Sequence, residues 1–295
     1  MYSGSIVAIV TPMADSGALD LAAWDALLDW HLAAGTDGVV VCGTTGESPT
    51  LTLEEATELT RRAAARLRGR IPLIAGSGTN DTATSIERTR RLAGAGADAV
   101  LAVTPYYNRP TQEGLFLHFT ALADASAVPV ILYNVPARTG VDLLPGTAAR
   151  LAPHPRIVAL KEATGSLPRV AELRARCGSD LEILSGDDPS ATEAMLAGAR
   201  GVISVTANVV PQAMHALCAA AASGDAEHAR RLDAGLQALH RALSIEPNPI
   251  PAKWAVQQLG RIAGGIRLPL TRLTPTGQVA VRAALRAAGG ECVVH

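Results

Sequence analysis

A lysine at the end of an apolar segment is the residue in this sequence best suited to covalent chemistry. Residues 157–161 run Ile-Val-Ala-Leu-Lys, which has the length and composition of a short buried strand that ends on an amine. Among the 26 lysines and arginines, only Lys161 and Lys253 are lysines. An amine, unlike a guanidinium, can lose its proton and form a Schiff base with a carbonyl compound. The alternative is a strand-end lysine whose side chain reaches water.

The second lysine is predicted to be a solvated surface charge. Lys253 falls in a segment of helical character beside Trp254 and Val256, and charged side chains are mostly exposed. We therefore expect Lys253 to take no part in the chemistry.

Tyrosines, threonines and an arginine follow the ends of other apolar segments. Three of the 4 tyrosines, Tyr106, Tyr107 and Tyr133, have such positions, although aromatic residues make up only 3% of the chain. Residues 43–47 run Gly-Thr-Thr-Gly-Glu, and the glycines let backbone N–H groups approach a carboxylate. Read separately, this loop also has a common turn composition, and Arg138 also suits a surface ion pair.

An acidic pair, Asp187 and Asp188, follows another apolar segment. Two carboxylates could bind a metal ion, but Asp188 precedes Pro189 and is better explained as a helix N-cap. The 7 histidines and 4 cysteines form no H-x-H, H-E-x-x-H or C-x-x-C motif. The sequence therefore predicts neither a metal site nor a disulfide framework.

Eight short apolar segments alternate with segments of helical character, which begin at residues such as Asp81, Thr111 and the capping box of residues 52–55. Each apolar segment should be buried on both faces, as in a parallel sheet covered by helices. Eight such units predict an α/β fold, the (β/α)8 barrel. A doubly wound sheet is the alternative, but no G-x-G-x-x-G follows the first segment. The predicted strands are residues 6–10, 38–42, 71–75, 99–103, 129–133, 157–161, 181–185 and 201–205.

Three more helical segments follow the eighth unit, at residues 226–243, 250–259 and 276–288. They predict a small all-helical domain at residues 225–295, after a catalytic barrel at residues 1–224. In such barrels the chemistry occurs at the carboxyl ends of the strands, where the amine, phenols, hydroxyls and guanidinium all fall. This combination suits a Schiff-base enzyme that acts on carboxylated carbonyl compounds.

Composition points to a small-molecule ligand. The net charge is -1 and no run of basic residues occurs, so neither nucleic acid nor an anionic membrane is an expected partner. The N-terminal apolar run is too short for a signal peptide or a membrane span. We expect a cytoplasmic protein with free thiols.

Motifs along nearly the whole chain match one known family. They occupy residues 4–12, 43–48, 103–110, 132–136, 138–140, 161–165, 184–188 and 246–251. Through these motifs the chain resembles the dihydrodipicolinate synthases, pyruvate-dependent class I aldolase-like enzymes of lysine and diaminopimelate biosynthesis in the N-acetylneuraminate lyase superfamily. The resemblance implies a (β/α)8 barrel with a C-terminal helical domain, in agreement with the count of segments.

The resemblance also implies roles for individual residues. Lys161 would form the Schiff base with pyruvate, and Tyr133 would be the general acid and base. Thr44 and Tyr107 would complete a proton relay, with Tyr107 lent across a subunit interface. The protein would then be a homo-oligomer, expected as a tetramer built from two dimers.

Further positions match substrate-binding residues of the family. Thr45 would hold the pyruvate carboxylate and Arg138 the carboxylate of L-aspartate 4-semialdehyde, while Gly186 and Ile203 occupy other substrate-binding positions. No cofactor is implied. The related lyases have Leu-Ser-Gly where residues 138–140 are Arg-Thr-Gly, so an aldolase acting on a sugar acid or hydroxy acid is the alternative. A catalytically silent barrel would be expected to lack Lys161 or Tyr133.

Many members of the family are inhibited by lysine, which binds between subunits. The matching positions here are Ser48, Pro49, Leu53, Ala56, Asn80, Thr84 and Tyr106. Sensitive enzymes typically have histidines at the positions of Leu53 and Ala56 and a glutamate at that of Thr84. Because the ammonium of a lysine ligand would lack a carboxylate partner, we predict a degenerate regulatory site and weak or absent inhibition.

Overall fold

Eight parallel strands close into a barrel in chain order in the computed structural model, which describes residues 2–289. The prediction of a (β/α)8 barrel is confirmed, and the predicted strand ends differ from the observed ones by two residues or fewer. The strands are β1 (Gly4–Ala8), β2 (Gly38–Val41), β3 (Leu73–Gly76), β4 (Ala99–Val103), β5 (Val130–Asn134), β6 (Ile157–Glu162), β7 (Glu182–Ser185) and β8 (Gly201–Ser204).

Helices on the outside of the barrel begin where the sequence supplies side-chain caps. Thr52 and Glu55 form the predicted capping box, and Asp81 and Thr111 accept from the N–H groups of Thr84 and Gly114. The helices up to the end of the barrel are α1 (Leu21–Ala33), α2 (Leu53–Leu67), α3 (Thr82–Gly94), α4 (Gln112–Ala125), α5 (Pro136–Thr139), α6 (Pro145–Leu151), α7 (Leu167–Cys177), α8 (Ala191–Leu196) and α9 (Pro211–Ala222).

Three helices follow the barrel, namely α10 (Ala226–Ala242), α11 (Ile250–Gln258) and α12 (Pro275–Ala287). Helix α10 packs against α9 and α12, and buried Trp254 and Leu285 join the same apolar core as the barrel helices. The helical segment is therefore packed onto the barrel, and the division at residue 225 stays a prediction. Across residues 2–289, none of the helices has both the length and the apolar character needed to cross a membrane.

Alternation along the strands separates two buried clusters. Ile131 and Tyr133 of β5 and Ala159 of β6 belong to a cluster inside the barrel. Leu132 lies between Ile131 and Tyr133 in β5, and Leu160 follows Ala159 in β6. Both pack in the cluster under the helices. Since successive strand residues face opposite sides, Lys161 is on the inner face with Ala159.

The cysteines of the described residues are free thiols. Cys42, Cys177 and Cys218 are buried and unpaired, and burial raises the pKa of the Cys42 thiol to about 12. A thiol held in its neutral form is a poor nucleophile. Cys292 lies outside the described residues.

Candidate active site

Lys161 and Tyr133 are neighbours in the barrel wall. They pair in register between β5 and β6, and both are only 6% exposed. Lys161 Nζ lies 4.3 Å from the centroid of the Tyr133 ring, a cation–π distance. Glu162 is on the opposite face, where its carboxylate accepts from Asn134 Nδ2 at 3.0 Å. The predicted amine and phenol are thus together and away from that carboxylate.

Gly186 leaves the space that the Lys161 side chain occupies. It follows β7, and its N–H donates to the Glu162 carbonyl at 2.8 Å. A Cβ at this position would lie 2.8 Å from Lys161 Cε and 2.7 Å from Ala163 Cβ, closer than carbon atoms pack. Any larger residue here would force Lys161 or Ala163 to shift.

The loop between β2 and α2 carries the two predicted threonines. Thr45 is 2% exposed, and its Oγ1 accepts from Asn248 Nδ2 at 3.0 Å. Thr11 Oγ1 donates to the Gly46 carbonyl at 2.7 Å. These bonds fix the loop, while Thr44 is partly exposed at the barrel end.

Arg138 lies on the short helix α5, directly after β5. Its side chain is exposed, and Nη2 donates to the Asn248 carbonyl at 3.5 Å. Among the described carboxylates it has no ion-pair partner within 4.0 Å. The guanidinium is therefore available to a carboxylate ligand.

A cavity of about 180 Å³ connects these residues at the carboxyl end of the barrel. The predicted site residues in its lining are Thr44, Thr45, Tyr133, Arg138, Lys161 and Gly186. Ile203 is 1% exposed and packs in the cluster inside the barrel. The structure thus brings six of the predicted residues to one cavity, with Ile203 in the barrel interior.

Tyr107 is directed away from the rest of the chain. It is 88% exposed and is not in the lining of the cavity. Its backbone has φ +75°, and its N–H donates to the Thr139 carbonyl at 3.2 Å. Within this one subunit, Tyr107 does not join the other predicted catalytic residues.

The prediction that Asp188 caps a helix is wrong. Asp187 is instead the N-cap of a short 3-10 helix, Asp188–Ser190, and its carboxylate accepts from Ser190 N at 3.2 Å. The Asp188 carboxylate instead accepts from Val205 N at 2.8 Å and from Thr206 N at 2.9 Å. Asp188 therefore ties the end of β7 to the end of β8, a contact between strands that local sequence does not reveal.

The prediction that Lys253 is a solvated charge is also wrong. It is 5% exposed, and its Nζ lies 2.5 Å from Glu47 Oε1. Burial lowers the pKa of Lys253 below its ordinary value, and the adjacent carboxylate partly offsets this effect. Helix α11 packs on the β2–α2 loop, so this face of the helix is covered. The partner is 206 residues away in sequence, which no local pattern indicates.

Residues of the helical segment also line the cavity, although the sequence analysis assigned none of them to the site. They are His240, Leu243, Ser244 and Asn248. A signal was present in residues 246–249, Glu-Pro-Asn-Pro, where a polar side chain between prolines is held on a rigid turn.

The predicted regulatory positions are divided between two places. Ser48, Pro49 and Tyr106 line a second cavity of about 330 Å³. Its charged lining residues are Arg88 and Arg138, with no described carboxylate among them.

The other regulatory positions lie outside that lining. Thr84 is exposed in the first turn of α3, and the Asn80 carbonyl accepts from Asn108 Nδ2 at 2.8 Å. Leu53 begins α2 and Ala56 is buried beneath it.

A buried amine beside a phenol, hydroxyls and a guanidinium at the carboxyl end of a (β/α)8 barrel defines a Schiff-base lyase. A family model described as the dihydrodipicolinate synthetase family matches residues 1–288. The chain belongs to this family, and the resemblance predicted from its motifs is confirmed.

Curated relatives match over nearly the whole chain. The chain is 53% identical over 289 residues to the 4-hydroxy-tetrahydrodipicolinate synthase of Stutzerimonas stutzeri, covering 98% of this chain and 99% of the relative. It is 53% identical over 287 residues to the enzyme of the same name from Ralstonia nicotianae, covering 97% and 98%.

Solved structures match as well. The crystal structure of the chloride-inhibited dihydrodipicolinate synthase from Acinetobacter baumannii complexed with pyruvate superimposes with a TM-score of 0.97 at 48% identity, covering 99% of this chain and 100% of that one. The dihydrodipicolinate synthase from Aquifex aeolicus also gives a TM-score of 0.97, at 42% identity and with the same coverage.

Proposed function

We propose that the protein is a 4-hydroxy-tetrahydrodipicolinate synthase, which condenses pyruvate with L-aspartate 4-semialdehyde in lysine and diaminopimelate biosynthesis. The observation that carries the proposal is the buried Lys161 amine, which lies over the Tyr133 ring in a cavity that Thr45 and Arg138 also line. A solved relative that is 48% identical is complexed with pyruvate.

The first half-reaction makes pyruvate nucleophilic. The Lys161 amine attacks the keto carbon, and loss of water gives a protonated imine. The imine withdraws electrons from the methyl group, so a methyl proton leaves and an enamine forms. Tyr133, on the neighbouring strand, moves the protons. The Thr45 hydroxyl and the backbone N–H groups of its loop bind the pyruvate carboxylate.

In the second half-reaction the enamine carbon attacks the aldehyde carbon of aspartate 4-semialdehyde. The substrate's own amine then displaces Lys161 and closes the ring, which restores the free lysine. The unpaired guanidinium of Arg138 binds the carboxylate of this second substrate. None of these steps calls for a metal, flavin or nucleotide.

The alternative, an aldolase acting on a sugar acid or hydroxy acid, would use the same amine and phenol with a different aldehyde. Arg138 favours the synthase, because a guanidinium offers two parallel hydrogen bonds to an amino-acid carboxylate. Efficient cleavage of N-acetylneuraminate by the purified protein would favour the alternative.

The proposal includes a homo-oligomer, a tetramer built from two dimers, in which Tyr107 enters the site of a neighbouring subunit. Tyr107 is 88% exposed, with a left-handed backbone that needs surrounding contacts to persist. One solved relative, 38% identical, is described as a monomeric variant. Mixing Tyr107→Phe subunits with Lys161→Ala subunits should partly restore activity in hybrid dimers, and inactive hybrids would mean that each site is self-contained.

A cytoplasmic location is also part of the proposal. Cys42, Cys177 and Cys218 are unpaired, as expected in a reducing compartment. Fractionation of the producing cells tests it, and recovery outside the cytoplasmic fraction would contradict it.

The decisive experiment is reductive trapping. Treatment with pyruvate and borohydride should add one pyruvate-derived mass to Lys161, located by mass spectrometry of peptides. Lys253 is an internal control, because it is buried and paired with Glu47. A label on Lys253, or no label at all, would contradict the proposed chemistry.

A further inference from the structure

The carboxylate loop, defined as residues 43–47, is held by a side chain that points into the protein. The Glu47 side chain is fully buried, and its Oε1 lies 2.5 Å from Lys253 Nζ. The other oxygen, Oε2, accepts from Arg267 N at 3.2 Å. Both carboxylate oxygens are therefore bound by the segment that follows the barrel.

The backbone of this loop has costly conformations at both ends. Glu47 has φ +59°, and Cys42, just before the loop, has φ +53°. Residues other than glycine avoid this left-handed region because their Cβ crowds the following carbonyl. Such residues persist only where surrounding contacts fix them. For Glu47 the contacts that fix its side chain are the ion pair with Lys253 and the hydrogen bond from Arg267 N.

The same short segment contacts the loop a second time. Asn248 Nδ2 donates to Thr45 Oγ1 at 3.0 Å, and Lys253 is in the first turn of α11, five residues later. Residues 248–253 therefore fix the loop at Thr45, inside the cavity, and at Glu47, behind it. Because Glu47 is two residues from Thr45, a displacement of Glu47 would also displace Thr45.

Fold stability alone does not account for a buried lysine and glutamate. Apolar residues of similar volume in place of a buried ion pair often leave a protein as stable or more stable. The arrangement is better explained if the charged pair is needed to set the geometry of a binding loop.

We propose that Lys253 is a positioning residue that acts through Glu47 to hold the carboxylate loop in the conformation that binds pyruvate. This inference rests on the proposed function, since it assigns the pyruvate carboxylate to that loop. Lys253 does not touch the substrate in this role, so its loss should affect the pyruvate half-reaction selectively.

The test is the double variant Glu47→Gln/Lys253→Met, which removes both buried charges together. We expect a thermal midpoint close to that of the unchanged protein, while kcat/KM for pyruvate falls about tenfold or more. The rate of borohydride trapping at subsaturating pyruvate should fall by the same factor. The value of kcat/KM for aspartate 4-semialdehyde should change by less than about twofold, because Arg138 is not attached to Glu47.

A matched control is Glu193→Gln/Arg230→Met. This pair also joins the barrel to the helical segment, with Arg230 Nε 2.7 Å from Glu193 Oε1, but it does not contact the carboxylate loop. Both specificity constants should be unchanged. If the double variant of residues 47 and 253 does not fold, Glu47→Gln alone carries the test, because a buried lysine can become neutral beside an amide.

Three outcomes decide between the hypotheses. Selective loss of the pyruvate constant supports the positioning role. An unchanged pyruvate constant, or equal loss for both substrates, overturns it and leaves the pair a structural one. If the unchanged protein forms no adduct on Lys161, the proposed function itself fails, and this result does not depend on the variants.

Discussion

Substitution of Gly186 by alanine should greatly slow Schiff-base formation without unfolding the protein. The added Cβ would lie 2.8 Å from Lys161 Cε, about 0.7 Å inside the ~3.5 Å at which carbon atoms pack. It would also lie 2.7 Å from Ala163 Cβ. The lysine side chain is the more mobile neighbour, so relief of this overlap should displace Nζ by roughly 1 Å.

A displacement of that size is large for a reacting atom. Misplacement by about 1 Å costs on the order of 10²-fold in rate. The assay is the rate of pyruvate-dependent trapping by borohydride, measured by mass spectrometry at Lys161, with the thermal midpoint recorded in parallel. We expect a fall of about 10²-fold in the trapping rate.

Gly235→Ala is the matched control, because a Cβ at that position in α10 meets no atom within 4 Å. It should trap pyruvate normally and be more stable by about 0.5–1 kcal/mol, the usual gain from alanine inside a helix. Adding Ala163→Gly to Gly186→Ala should relieve the second contact and restore stability more than rate. A folded Gly186→Ala protein with an unchanged trapping rate would refute the reasoning.

Four other predictions concern the proton relay, specificity, regulation and pH. Tyr133→Phe should lower kcat by about 10²-fold or more in steady-state assays, and near-normal turnover would exclude it as the acid and base. Arg138→Ala should raise KM at least about tenfold for aspartate 4-semialdehyde, roughly 1.4 kcal/mol of binding, with far less effect on pyruvate; equal changes would argue against its assigned role. L-lysine at about 1 mM should not inhibit initial rates, because the charged residues that line the second cavity are Arg88 and Arg138, which cannot pair with its ammonium group. Binding at that concentration needs roughly 4 kcal/mol, and half-inhibition well below it would contradict this prediction. Burial lowers the pKa of His31 to about 3, so as pH falls below about 6.5 the unfolded chain binds a proton at this residue and the folded protein does not. The free energy of unfolding, measured in urea, should therefore fall by about 2 kcal/mol between pH 8 and pH 5 because of this group, and His31→Gln should abolish that fall. The same pH dependence in the variant would show that other groups cause it.

Much of the barrel and its site was predictable because the signals are local. A buried strand in a parallel sheet is a short apolar run, and the chemistry of a barrel lies where those runs end. Lys161, Tyr133 and the threonines of residues 43–47 could therefore be placed at one end of the barrel from the sequence. Strand periodicity of two also determines that Lys161 faces inward with Ala159.

The remaining features of the site depend on contacts between segments that are distant in sequence. Lys253 has the local pattern of a solvated helix residue, yet the loop between β2 and α2 covers this face of α11, and Glu47 of that loop pairs with Lys253. Asp188 and Asp187 are adjacent acids, and only the packing of β8 beside β7 gives Asp188 the backbone N–H groups of Val205 and Thr206. The entry of Asn248 into the site likewise depends on how the helical segment packs. The burial and the partner of a charged side chain depend on which distant surface covers it, so the tertiary structure alone determines them.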